Sequence, residues 1–121
     1  MAEKVVVMGA SPKPDRYSHK AVVMLAEYGH QVIPVNPYHS EVAGIRCAPS
    51  LAAITAPVDT VSVYMRAELL APQLPELLAL APRRIIFNPG SEGEALMEQL
   101  RRAGIVCEEA CTLVLLRTQQ F

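Results

Sequence analysis

The sequence has few cysteines, and they form no recognisable framework. Cys47, Cys107 and Cys111 cannot all pair within one chain, and together with three histidines their spacing matches no zinc-binding pattern. The sequence therefore predicts no metal site and favours buried free thiols. A reactive thiol is left open at Cys111, although no basic residue lies beside it in the sequence to activate it.

The sequence also lacks a long hydrophobic run and a strong net charge. Hydrophobic residues make up 51% of the chain, but none of their runs approaches the roughly 20 residues of a membrane span. No charged segment followed by a hydrophobic signal region precedes the first strand, so we expect a cytoplasmic protein. A net charge of -1 gives no general attraction to nucleic acid, which makes a small anion the more favourable partner.

Alternating strand and helix patterns predict the fold. Four apolar residues, 5–8, end at Gly9 and indicate a strand buried on both faces. Further strands are predicted at residues 31–35, 45–47 (a short edge strand), 59–64, 84–87 and 105–107. Helices are predicted at residues 18–28, 50–54 (capped by Ser50), 67–81 (with a start obscured by Pro72 and Pro75) and 92–103. This order predicts one α/β domain of about five mainly parallel strands, with helices on both faces.

The turn after the first strand is a candidate phosphate site. Ligands of open parallel sheets bind outside the carboxyl ends of the strands, where the strand order reverses. Gly9-Ala10-Ser11-Pro12 leads from the first strand toward a helix start, whose free N–H groups favour a phosphate. Ionisable side chains are concentrated nearby, at Lys13, Arg16, His19 and Lys20. The alternative is an ordinary turn beside a solvated basic surface.

Missing glycines and acids argue against two common nucleotide sites. The sequence has no G-x-x-x-x-G-K followed by Ser or Thr, so a nucleoside triphosphatase loop is not supported. It also has no G-x-G-x-x-G, and the second strand ends in Val35-Asn36-Pro37 rather than in the acid that commonly binds the ribose of NAD. A nicotinamide-binding function is therefore less favoured.

An ordered set of motifs resembles a known family. V-V-M-G-A-S-P-K-P-D-R, G-H-Q-V-I-P-V-N-P and N-P-G-S-E occur in the order found in the small coenzyme A-binding proteins. These are similar to the nucleotide-binding domain of the succinyl-CoA synthetase alpha subunit, and the resemblance covers nearly the whole chain. It implies that residues 1–121 form a Rossmann-like, doubly wound domain that holds the adenosine and phosphate portion of coenzyme A across the strand ends.

The resemblance also implies which residues bind the cofactor, in four loops. The phosphate-side loop is Gly9, Ala10, Ser11 and Pro12, with Arg16, Tyr17 and Ser18 beside it; the adenosine-side loop is Asn36 and Pro37; the far side is Tyr64, Met65 and Arg66; the fourth loop is Asn88, Pro89 and Gly90. Each has a structural alternative: a strand stop at Pro37, a core residue at Tyr64, a helix-start charge at Arg66 and a turn at residues 88–90.

The implied function is binding of coenzyme A or an acyl-CoA, without catalysis. The synthetase uses a phosphorylated histidine outside the matching domain and a second subunit, so we expect no ligase activity. His19, His30 and His39 are interpreted as surface or loop residues, since no orienting partner is evident for a catalytic base. The alternatives are an NAD(P)-dependent reductase, a regulatory nucleotide-sensing subunit, and a structural subunit that uses residues 113–116 as an apolar contact. A homo-oligomer or another protein partner is left open.

Overall fold

A five-stranded parallel sheet forms the centre of the molecule in the computed structural model, which describes residues 2–55 and 57–121. Its strands are β1 (Lys4–Met8), β2 (Gln31–Val35), β5 (Thr60–Val63), β6 (Arg84–Phe87) and β7 (Val106–Glu109). The short strands β3 (Glu41–Val42) and β4 (Ile45–Arg46) form a separate two-stranded sheet. The helices are α1 (Tyr17–Glu27), α2 (Ala67–Leu70), α3 (Leu74–Leu80), α4 (Glu94–Arg102) and α5 (Thr112–Arg117), with 3-10 turns at Leu51–Ala53 and Ala71–Gln73.

Both faces of the sheet are covered, which explains the continuous apolar runs in its strands. Side chains of β1 alternate between the two faces. Val5 and Val7 pack in one hydrophobic cluster with Leu25 of α1 and Leu116 of α5. Met8 packs in the other cluster, whose members on α2, α3 and α4 include Leu70, Leu77 and Leu100. The predicted Rossmann-like α/β fold, with a parallel sheet between two helical layers, is confirmed.

The strand order places a crevice beside β1. The order across the sheet is β2-β1-β5-β6-β7, and every neighbouring pair is parallel. The chain therefore runs from β1 to one edge at β2, and then returns to the other side of β1 at β5. Strand order reverses at this point, and the loops that follow β1 and β5 diverge to opposite faces of the sheet.

The segment after β2 differs from the prediction. Residues 45–47 were predicted as an edge strand, but β4 pairs antiparallel with β3 in a separate hairpin. Ala43 and Gly44 both have positive φ angles, 52° and 76°, as required for the two-residue turns that close such hairpins. Instead, Ala48 pairs with the end of β2 in the main sheet. Its N–H donates to the Pro34 carbonyl, and its carbonyl accepts the Asn36 N–H.

Several helix predictions also need correction. Residues 50–54 form only the 3-10 turn Leu51–Ala53, and the Ser50 side chain makes no capping hydrogen bond. The predicted helix at 67–81 is divided into α2, a 3-10 turn that contains Pro72, and α3. Proline lacks the N–H that a continuous helix needs, so the two prolines lie in the first turns of their own segments.

Other element boundaries shift by one or two residues. The predicted helix at 92–103 is Glu94–Arg102, and the Glu92 carboxylate accepts the Gly90 N–H in the preceding turn. The helix predicted at 18–28 is Tyr17–Glu27, the strand predicted at 59–64 is Thr60–Val63, and the strand predicted at 105–107 is Val106–Glu109.

The apolar run at residues 113–116 is only partly exposed. They belong to α5, and both Leu113 and Leu116 are buried within the chain itself. Val114 is the large apolar side chain of this helix that remains exposed. The apolar run therefore has an internal explanation and gives no support to a purely structural subunit.

A close contact between α2 and α4 predicts a sensitive position. A Cβ atom built on Gly93 would lie 2.5 Å from the Cβ of Ala67, so Gly93→Ala should lower the free energy of unfolding by about 1 to 3 kcal/mol through overpacking. The φ angle of Gly93 is -152°, which alanine adopts readily. Chemical denaturation should show this loss.

The paired control removes the opposing methyl group. Gly93→Ala combined with Ala67→Gly should recover part of the loss, because the two changes are coupled at a single contact. Equal stability of Gly93→Ala and the wild type would show that the two helices separate at no cost.

Candidate functional site

A cavity of about 610 Å³ opens at the carboxyl ends of β1 and β2. It lies between these strand ends, the 3-10 turn Leu51–Ala53, and the start of α3. Its walls are Met8, Gly9, Ala10, Val35, Asn36, Pro37, Tyr38, Pro49, Ser50, Leu51, Ala52, Met65, Gln73 and Glu76. The cavity therefore lies outside the carboxyl ends of the strands, as expected for an open parallel sheet, and Met65, which follows β5, is its wall residue at the strand-order reversal.

Gly9 allows the chain to pass closely between the ends of β1 and β5. Its φ angle is +76°, and an added Cβ would lie 2.7 Å from the Tyr64 carbonyl oxygen and 2.9 Å from Cγ of Met65. Both the backbone conformation and the lack of space require glycine here. The part of the cavity wall that follows β1 therefore depends on a residue without a side chain.

Ser18 holds the turn that follows Gly9. The buried Ser18 hydroxyl accepts the Ser11 N–H at 3.1 Å, and the Ser11 hydroxyl accepts the Lys13 N–H at 3.1 Å. Nδ1 of His19 lies 2.9 Å from the Ser11 carbonyl oxygen. These contacts fix the turn against α1, and they occupy the Ser11 N–H with a protein acceptor.

The start of α1 has free hydrogen-bond donors. In residues 2–55 and 57–121, the backbone N–H groups of Tyr17, Ser18 and His19 have no acceptor. Lys13 and Arg16 are exposed beside them, and the Lys20 ammonium lies 5.5 Å from the centre of the Tyr17 ring. An anion at this helix start would meet both N–H donors and positive charge.

Asn36 connects the two loops that form the mouth of the cavity. Its Nδ2 donates to the Ala10 carbonyl at 2.9 Å, and its Oδ1 accepts the N–H groups of Tyr38 and His39 at 2.7 and 2.9 Å. An aspartate could not donate to Ala10, which explains an amide at this position. Because both polar ends are used internally, Asn36 contributes chiefly to the shape of the wall.

Tyr64 lies beneath the β5 end with its hydroxyl buried. Burial raises the pKa of Tyr64 from its ordinary 10.0 to about 12. The nearby hydroxyls of Thr112 and Ser62 oppose part of this rise, but they hydrogen-bond to each other at 2.7 Å. Within the described residues the Tyr64 hydroxyl oxygen has no hydrogen-bond partner.

The fourth predicted loop lies apart from the cavity walls. Asn88 is buried, and its Nδ2 donates to the Ser62 hydroxyl at 3.0 Å and to the Val63 carbonyl at 2.8 Å. Its Oδ1 accepts the Thr112 N–H at 2.7 Å. The side chain thus connects β5, β6 and the start of α5, while Pro89 and Gly90 form the exposed turn beyond it.

The cavity includes one part of the predicted set and leaves out another. Its walls contain Gly9, Ala10, Asn36, Pro37 and Met65. The predicted residues outside its walls are Ser11, Pro12, Arg16, Tyr17, Ser18, Tyr64, Arg66, Asn88, Pro89 and Gly90. The sequence pattern did not indicate the wall residues Tyr38, Ser50, Gln73 and Glu76, because long-range packing of the 3-10 turn and α3 brings the last three to the site.

The cysteines only partly match their prediction. Cys107 is buried as expected, but Cys47 and Cys111 are partly exposed. Burial raises the pKa of the Cys107 thiol; it also raises that of Cys47, where the Glu41 carboxylate adds to the effect. Within residues 2–55 and 57–121, no group of three His, Cys, Asp or Glu could hold a metal ion, and no helix is long and apolar enough to cross a membrane.

Comparison with known proteins shows the family. The family described as CoA binding domain matches residues 3–117, and the chain belongs to it. Over 103 residues the chain is 31% identical to the uncharacterized protein YneT of Bacillus subtilis (strain 168), covering 85% of this chain and 76% of that protein. The predicted resemblance to coenzyme A-binding proteins is therefore confirmed at the level of the family.

Solved structures share the fold. Cell-free ID.343 from Thermus thermophilus superposes with a TM-score of 0.89 at 32% identity, over 99% of this chain and 91% of that one. The dinucleotide forming acetyl-coenzyme A synthetase 1 of Ca. Korarchaeum cryptofilum matches 87% of this chain and 25% of its own length, with a TM-score of 0.75 and 19% identity. At that identity the second likeness shows the fold alone.

The buried Tyr64 phenol predicts a loss of stability in alkali. The unfolded chain loses this proton near pH 10 and the folded chain near pH 12, so the unfolded state binds fewer protons between these values. This contribution to stability is present below pH 10 and falls by on the order of 2 kcal/mol as pH rises toward 12. Tyr64→Phe should make the alkaline decline in unfolding free energy shallower.

The exposed phenol of Tyr38 is the matched control. Tyr38→Phe should leave the alkaline decline as it is in the wild type. Parallel curves for the wild type and Tyr64→Phe between pH 10 and pH 12 would contradict the assignment of this proton.

Proposed function

We propose that this protein binds coenzyme A or an acyl-CoA, with the adenosine portion in the cavity and the phosphates at the start of α1. The observation that carries this proposal is the position of the cavity. The Gly9 turn and the Asn36 loop meet there at the carboxyl ends of β1 and β2, in a chain of the CoA binding domain family. The whole chain then acts as one binding unit.

The phosphate portion has a suitable environment outside the cavity. Three free N–H groups at the start of the 11-residue helix α1 would face the phosphates, and the helix dipole favours negative charge there. The Ser11 hydroxyl still has a proton to donate, since its observed bond uses it as an acceptor. Arg16, Lys13 and the exposed Tyr17 would complete this subsite.

The adenosine portion has a mainly apolar environment. Val35, Pro37, Leu51 and Met65 supply flat or flexible apolar surface along the cavity, which suits a purine ring. Pro12 would stabilise the turn after β1, beside the adenosine portion. The ring would therefore be bound largely by packing, with few polar contacts to fix its orientation.

The remaining predicted residues would act indirectly. Arg66 is exposed, and its Nε lies 3.9 Å from Oε1 of Glu68. Its side chain could therefore turn toward a bound anion from the β5 side of the site. Tyr64 and Asn88 would hold the ends of β5 and β6 in place, and Pro89 and Gly90 would belong to the supporting turn. We expect no reaction from this arrangement: incubation with coenzyme A, succinate and ATP should yield no acyl-CoA.

The primary test is thermal stabilisation by coenzyme A. A ligand that binds only the folded state adds about 2.7 kcal/mol at 100 times its Kd, which should raise the Tm of a domain of this size by roughly 10 °C. Adenosine should raise Tm only slightly, since it lacks the phosphates. NADP is the competitor that tests a nicotinamide site.

The proposal has clear contrary outcomes. Coenzyme A at millimolar concentration without any shift in Tm would overturn it. A shift with NADP that exceeds the shift with coenzyme A would favour the reductase alternative instead.

Arg16 distinguishes a phosphate subsite from a solvated basic surface. A guanidinium can bind phosphate oxygens through two parallel hydrogen bonds, and Arg16 lies at the start of α1 with its side chain exposed. Arg16→Ala should weaken coenzyme A binding about tenfold, at the low end for charge-assisted bonds because solvent screens the site. Lys13→Ala should cost less, since a flexible ammonium has no fixed geometry.

Arg102→Ala is the matched control for the loss of one positive charge. Arg102 is exposed in the last turn of α4, at the opposite edge of the sheet, and pairs with Glu98. Calorimetric titration at two salt concentrations should show unchanged binding for this variant. If Arg16→Ala and Arg102→Ala bind coenzyme A equally well, the basic residues near the turn form a solvated surface only.

A further inference from the structure

The cavity contains a buried carboxylate oxygen without a partner. Oε2 of Glu76 has no hydrogen-bond partner in residues 2–55 and 57–121, although Glu76 lines the cavity. Glu76 is also the one charged side chain among the described cavity walls, and no described lysine or arginine pairs with it.

A role in the helix does not account for this burial. Glu76 lies in the first turn of α3, where a carboxylate interacts favourably with the helix dipole. Glu76 as a whole is only partly buried, and that interaction would be retained with Oε2 facing water as well. A buried oxygen without a donor lowers stability instead, so its retention in a cavity wall points to a ligand that supplies the donor.

The chemistry of a carboxylate limits what that ligand group can be. An ionised carboxylate only accepts hydrogen bonds, and it repels the phosphates of coenzyme A. The phosphates would lie at the start of α1, among N–H donors and basic side chains, rather than beside Glu76. The neutral base is the part of the adenosine portion that can approach the carboxylate, and its 6-amino group is a strong donor.

The neighbouring walls suit this orientation of the base. α3 packs against the 3-10 turn Leu51–Ala53. Apolar surface that can contact the face of the purine ring therefore lies next to the carboxylate, which can contact the edge of the ring. Gln73, which precedes α3, lies three residues from Glu76 and also lines the cavity.

We infer that Glu76 selects adenine, by accepting a hydrogen bond from the 6-amino group of the base. This inference rests on the proposed binding of coenzyme A in the cavity. Glu76 is then a specificity residue, which distinguishes a purine with an amino donor at position 6 from one without it.

The test is a cycle of two ligands and two proteins. The ligands are coenzyme A and its analogue in which hydrogen replaces the 6-amino group, and the proteins are the wild type and Glu76→Leu. A hydrogen bond to a charged group predicts that the wild type binds coenzyme A about 10 to 100 times more tightly than the analogue. In Glu76→Leu that preference should fall to within about twofold, which isolates the contact between the two groups.

Glu76→Gln is the conservative variant. It keeps an acceptor oxygen of the same size, so it should retain part of the preference for coenzyme A over the analogue. It also provides a folded comparison if leucine disturbs α3, and the Tm of each variant without ligand reports that directly.

The outcomes separate this inference from the proposed function. Equal affinity of the wild type for coenzyme A and the analogue would overturn the role of Glu76 and leave the binding site standing. A full preference retained in Glu76→Leu would assign the discrimination to another residue and overturn it too. A wild type that binds neither ligand would overturn the proposed function, and this inference with it.

Discussion

The central position of β1 is the constraint on which the rest of the molecule depends. β1 is hydrogen-bonded to β2 on one side and to β5 on the other, and helices cover both of its faces. A strand so enclosed must leave the sheet at its carboxyl end, and at Gly9 the chain passes so close to β5 that an added Cβ would lie 2.7 Å from the Tyr64 carbonyl oxygen. The cavity opens where the loops after β1 and β2 leave the sheet, beside Met65 at the end of β5.

Polar side chains hold this edge of the sheet in two separate ways. On the cavity side, Asn36 joins the loops after β1 and β2 by hydrogen bonds to the backbone. On the other side, Asn88, Ser62 and Thr112 form a buried network across β5, β6 and α5. Buried groups of this kind are costly unless fully paired, so the network fixes the spacing of the strand ends on which the cavity depends.

The fold occurs in proteins of different sizes. It accounts for nearly all of the Thermus thermophilus structure, and for about a quarter of the acetyl-coenzyme A synthetase chain. In this chain Met8, Val35 and Leu51 line the cavity and also belong to the hydrophobic core. The shape of the cavity and the stability of the domain therefore depend in part on the same residues.

The sequence by itself determined the parallel sheet, the two helical layers and the turn after Gly9. These features depend on local patterns: apolar runs for strands buried on both faces, helical periodicity, and a glycine where the chain turns. The motifs also indicated the family, because their order along the chain is specific. The family resemblance also implied Asn36 and Pro37, and both line the cavity because they immediately follow β2.

Tertiary structure alone decided which side chains share the cavity. Ser50, Leu51, Gln73 and Glu76 reach it through the packing of a 3-10 turn against α3, which no local pattern records. It likewise turned Asn88 inward, because a buried amide at a strand end must find partners on neighbouring strands. Local sequence sets where strands and turns form, but the burial and pairing of polar groups depend on residues distant in the chain.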